Sequence, residues 1–252
     1  MDDLAPRQAA IPPVEQLAAM LDWWRAAGVD CAFVDEPVDW LAPPPDKQPK
    51  PAAAVPVPEE PAAPPLGGNR AAWPADLAAF REWWLAEPTL DPAPLAARVP
   101  PRGSKGAALM VLVPMPEAED TDTLLSARQG RLVAGIARAM GVTQDDLYLA
   151  SALPRCMALP DWQALRSADY GAILLHHIAL ASPQRLLVLG AADILPLLGH
   201  DPAQASPGIH PLSADGLDRP LLAGFAPDAL LARWQARAQL WRLLLDWTDP
   251  NA

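Results

Sequence analysis

The chain has 252 residues, a formal net charge of -11 and 32 prolines. That charge sets long-range electrostatics against polyanions, so the global field is not that of a nucleic-acid binder, although a local basic patch can still attract one. Two cysteines, Cys31 and Cys156, are too few for a disulfide framework or a four-ligand zinc site. No run is long and apolar enough to span a bilayer and no basic segment precedes an apolar one near Met1, so a soluble cytoplasmic protein without membrane contact is expected.

Over residues 14–27, Leu17, Met20, Leu21 and Trp24 recur at helical spacing while Glu15, Asp22 and Arg25 fall elsewhere, and Gly28 is placed to end the helix. A helix this short is marginal in water, so its apolar face needs a surface to dock on. That surface is either the chain's own globular domain or a partner protein, with Leu17, Leu21 and Trp24 as the docking residues. Residues 1–42 thus read as an amphipathic helical segment. Residues 43–68, with Pro43, Pro44, Pro45, Pro49, Pro51, Pro56, Pro58, Pro61, Pro64 and Pro65, read as an extended, semi-stiff linker.

A second helix is predicted from Pro74 or Asp76 to Leu85, with Leu77, Phe80, Trp83 and Trp84 as its apolar side, in a helical lead-in over residues 69–102. Apolar runs then alternate with helical patterns. Strands are predicted at 107–113, 147–153, 185–189 and 221–225, and helices at 124–140, 162–180, in a short piece before Leu198, and from Pro227 to the end. Non-alternating strands separated by helices imply a parallel sheet covered on both faces. The expected fold class is α/β, a three-layer α/β/α domain over 103–252 with a central, mostly parallel, four-stranded sheet. Ligands of such sheets bind beyond the carboxyl ends of the strands, which directs attention to Met115, Ser151 and Ala226.

Several stretches carry a resemblance. Met110 to Val113, then Gln129, Gly130, Arg131 and Leu132, then Ala139 to Val142, Tyr148 and Leu149 follow one another in order. Arg185 to Gly190 and then Leu197, Leu198 and Gly199 come next, and Pro227, Asp228, Ala229, Leu230 and Leu231 are similar to the tail of an HPxxLL motif. Together they make about half of the chain resemble the uracil-DNA glycosylase superfamily, in particular its type-4 bacterial members.

The resemblance implies a chemistry in which a base is flipped from the duplex, stacked, read along its edge and expelled while water attacks the sugar. The polar parts of that machinery have no counterpart. Met115 stands at the place of the acid in a GEAPG-like loop, and a thioether cannot activate water. Leu125 stands at the aromatic platform, Ser151 at the base-reading amide and Ala226 at the histidine that stabilises the leaving anion. Type-4 members also hold an iron–sulfur cluster on four cysteines. Here Cys156 falls near one ligand position, Tyr170 near another, and no cysteine lies over 83–90, so no cofactor is expected.

Slippage of the loop alignment would bring Glu117, Glu119 or Asp120 to the water-activating position; the alternative is a solvated acidic loop. His176 and His177 lie in a predicted helix and His200 and His210 in loops, away from the missing histidine's strand end. Arg128, Arg131 and Arg155 are either DNA contacts or ordinary solvated charges. The leading expectation is a non-catalytic glycosylase-like protein that acts by binding another protein in DNA replication or repair. The small psi subunit of bacterial replicative polymerases is an analogy for such a change. The alternative is an active glycosylase with a rearranged site.

Overall fold

The computed structural model describes residues 13–28, 65–91, 98–214 and 217–248. The chain divides into two compact units, Met1–Glu59 and Glu60–Ala252. Most of the Pro-rich segment lies outside the described residues.

In the first unit, α1 spans Pro13–Ala26. Ala27 N–H donates to the Trp23 carbonyl at 2.9 Å, and Gly28, at φ 83°, takes the left-handed turn that ends the helix. Leu17, Leu21 and Trp24 are 54%, 46% and 45% exposed, so the apolar face is uncovered within this unit.

The second unit is an α/β domain on a five-stranded sheet in the order β2-β1-β3-β5-β4. These strands are β1 (Leu109–Val113), β2 (Leu147–Ser151), β3 (Leu186–Leu189), β4 (Gly208–Ala214) and β5 (Leu217–Gly224). β2, β1, β3 and β5 run parallel, and β4 pairs antiparallel with β5. β4 corrects the four-stranded expectation. It lies at the sheet edge, carries Pro211, and alternates exposed Ile209 with buried Leu212, so it lacks the continuous apolar run of the central strands.

Side-chain alternation along the strands sorts the core into two layers. Met110, Leu112, Tyr148, Val188 and Leu221 meet Phe80 and Trp84 of α2 (Leu77–Ala86) and Ile173 and Leu174 of α5 (Gly171–Ala181). On the other face, Leu109, Val111, Leu149, Leu187 and Leu222 meet Val133 of α3 (Arg128–Ala139), Leu230 of α7 (Pro227–Ala232) and Leu240 and Leu244 of α8 (Trp234–Thr248). Each such side chain contributes about 1.5–3 kcal/mol by leaving water. The lead-in is therefore part of the domain. Asp76 caps α2 through the Ala78 and Ala79 amides, and Trp84 donates its indole N–H to the Val99 carbonyl at 3.1 Å. Arg102 then pairs with Leu149 through two backbone bonds, covering the outer edge of β2.

Three helical expectations need correction. The 162–180 helix is two, α4 (Trp162–Ser167) and α5, separated by Asp169 at φ 56°. At the start of α5, position 171 requires glycine, since a Cβ there would lie 1.7 Å from the Leu197 carbonyl oxygen. The last helix is broken at Arg233, which is extended. α3 starts at Arg128 rather than Leu124, since Leu125 sits at φ 55° in a loop.

Candidate functional site

The chain runs from β1 to β2 on one side and later crosses to β3 on the other, so the switch point lies between the carboxyl ends of β1 and β3. Pro114 leaves β1 there and packs on Gly190, at the end of β3. A Cβ on Gly190 would lie 2.6 Å from the Pro114 ring, and the residue's φ of 123° also requires glycine.

Met115, Leu125, Ser151 and Ala226 lie at or beyond the strand ends, and each has its own surroundings. Met115 is half-buried against the α2/α5 layer, with the Met157 N–H 3.5 Å from its Sδ. Leu125 is buried in the opposite layer. Ser151 is 2% exposed and donates its hydroxyl to the Leu153 carbonyl at 2.7 Å. Ala226 precedes α7, and its carbonyl accepts the Leu230 N–H. Three depressions of about 590, 440 and 340 Å³ lie elsewhere, and none is lined by these four.

The loop between β1 and α3 is organised by two carboxylates. Glu117, 5% exposed, accepts from the backbone N–H groups of Ala127 (3.0 Å), Gln129 (2.8 Å) and Gly130 (3.0 Å). It thereby satisfies orphan donors of α3's first turn, which has no cap from its own Ala127. Asp120, 8% exposed, accepts from the amides of Glu117, Leu125 and Ser126 and from the Ser126 hydroxyl, all within 2.7–2.9 Å. The solvated-loop reading is therefore corrected for both residues. A carboxylate has about four lone-pair positions, so Glu117 has about one and Asp120 about none left to accept a further hydrogen bond. Glu119 is exposed.

Arg128 and Arg131 are exposed on α3. Arg155, in contrast, is ion-paired with the buried Asp91, whose carboxylate holds the guanidinium above its usual pKa. Arg98 donates to the carbonyls of Trp84, Glu87 and Asp91 at the end of α2.

The predicted placement of His177 in a helix holds, and its partner there is Tyr148. Tyr148 and His177 are hydrogen-bonded at 2.8 Å between Oη and Nε2, with Phe80 stacked on the imidazole at 4.4 Å. Burial, helped by Arg81 and His176, pushes His177 down to about 3, and burial pushes Tyr148 up to about 12 against the pull of Arg81. Both are neutral near pH 7 and buried. The available signal was the helical spacing of His177 with Ile173, Leu174 and Ala181. Asp193, after β3, is half-buried beside Arg166 and Trp162, and burial raises its carboxyl.

Among the described residues no three or more His, Cys, Asp or Glu side chains are grouped to hold a metal ion, and no helix is long and apolar enough to cross a membrane. The fold and site define a mostly parallel α/β domain whose strand-end carboxylates serve the backbone. No protein-family model matches the chain, and no curated protein matches it.

Proposed function

We propose that the chain is a non-catalytic protein on a uracil-DNA glycosylase-type scaffold, a cytoplasmic accessory factor that works by binding another protein in DNA replication or repair. The observation that carries this reading is the engagement of Glu117 and Asp120 by backbone N–H groups, and the resemblance adds Met115, Leu125, Ser151 and Ala226 where it would put the catalytic parts. Carboxylates engaged in this way are held by the backbone and have few acceptor positions left for an attacking water.

Residues at the resembled cluster positions do not fit an iron–sulfur centre. Cys156 is exposed, and Tyr170 is wholly buried with a phenol that burial pushes well above its ordinary pKa. Protein contact is favoured over DNA by the acidic chain and by the exposed Leu17, Leu21 and Trp24 of α1. The ion pair of Arg155 with the buried Asp91 gives this arginine a structural role.

The reading is tested by incubating the full chain in excess with single- and double-stranded oligonucleotides containing uracil. No abasic site above the protein-free control is expected. Base release abolished by Glu117→Gln would establish an active glycosylase instead.

A further inference from the structure

We infer that α8 and α3 form a docking groove for an acidic amphipathic helix of a partner protein. α8 is apolar on two sides. Ala236, Leu240 and Leu244 are buried against the sheet, whereas Trp234, Trp241 and Leu245 are 66%, 47% and 52% exposed. With half-buried Ala238, these outer residues are spaced 4-3-4 and fall within a narrow arc at about 100° per residue. That is the seam by which one helix receives another.

The seam borders a groove of about 440 Å³ whose walls include Leu132, Gly135 and Ile136 of α3 and Leu240, Trp241 and Leu244 of α8. A Cβ built on Gly135 meets no heavy atom within 4 Å, so the α3 wall is open. The groove is walled by helices, without a strand edge to extend, and thus suits a helical ligand with apolar anchors at i, i+3, i+4 and i+7.

Charge fixes the partner's chemistry. Arg131 and Arg237 line the groove, and helical geometry puts Arg237 and Arg242 on opposite flanks of the seam. α3 contains no acid, and α7 and α8 contain only Asp228 and Asp246. This basic layer sits in a chain of net charge -11. A second copy meeting seam to seam would oppose arginine with arginine, and a phosphate backbone gains little from an apolar floor. A helix with leucine-like anchors flanked by glutamates satisfies both wall and rim.

This surface rests on the binding role proposed above, yet it is read by peptide affinity while that role is read by base release, so each can fail alone. The probe is a labelled synthetic helix of roughly 18 residues with leucines at 4-3-4 spacing and flanking glutamates. Its control carries lysines in place of the glutamates, and anisotropy is read with the full chain. The acidic peptide should bind at least about tenfold tighter than the lysine peptide, and Trp241→Ser, at an exposed position, should weaken it by about tenfold. Arg242→Glu should reduce the acidic preference by at least about threefold. Equal affinity for both peptides, or no binding, overturns the proposal. So does displacement of the peptide by an oligonucleotide, a dimer in sedimentation that Trp241→Ser dissolves, or about tenfold tighter peptide binding by a Leu17→Glu/Trp24→Glu chain, which would make α1 the occupant.

Discussion

Glu117 reaches across the loop to Gly130, whose backbone N–H donates to Oε1 at 3.0 Å, thirteen residues along the chain. The same carboxylate takes the Ala127 and Gln129 amides, so one side chain closes the first turn of α3. Asp120 ties the intervening loop to itself through Leu125 and Ser126. The helix most directly connected to the candidate site is thus held by acids that would otherwise be its best candidates for chemistry.

Gly130 is required by that arrangement. A Cβ there would lie 1.9 Å from the Leu125 carbonyl oxygen, a backbone atom that cannot swing aside. Gly130→Ala should therefore cost about 3 kcal/mol or more in chemical denaturation, far beyond the propensity change, which favours alanine in a helix by about 1 kcal/mol. A stability equal to or above that of the natural chain would refute the close approach.

His177 gives the domain an acid-side pH dependence. Its folded pKa is depressed to about 3 from an ordinary 6.5, so its contribution is fully present above pH 6.5 and is lost as the pH falls toward 3. The slope from this one group approaches about 1.4 kcal/mol per pH unit within that window. His177→Gln, which does not titrate and can still meet the Tyr148 hydroxyl, should flatten the stability profile between pH 6 and about 4. A variant curve parallel to the original would place the dependence elsewhere.

Arg155→Ala should destabilise the domain by about 2 kcal/mol, the cost of removing a partly exposed partner from a buried charge. Asp91 is 3% exposed, whereas Arg155 is only half-buried. An unchanged melting curve with a loss of oligonucleotide binding would return Arg155 to a DNA-contact role.

The central strands were legible because each is a continuous apolar run, and the sheet faces followed from alternation within those runs. β4 was not, since Pro211 interrupts the pattern and only one face is covered. α3 seemed longer in sequence because Leu124 and Leu125 continue its apolar spacing; both are buried in the loop, and Leu125 is left-handed. That Met115, Ser151 and Ala226 carry no carboxylate, amide or imidazole is read from residue types alone. The tasks of Glu117 and Asp120 depended on bonds closed by tertiary folding, and no local pattern encodes them.

Thermal and chemical unfolding of Glu117→Gln tests the central claim most directly. Loss of the charge and of one acceptor oxygen facing three amides should cost about 2–3 kcal/mol, a fall in melting temperature of roughly 5–10 °C for a domain of this size. A melting temperature that stays unchanged or rises would contradict a structural role for this carboxylate.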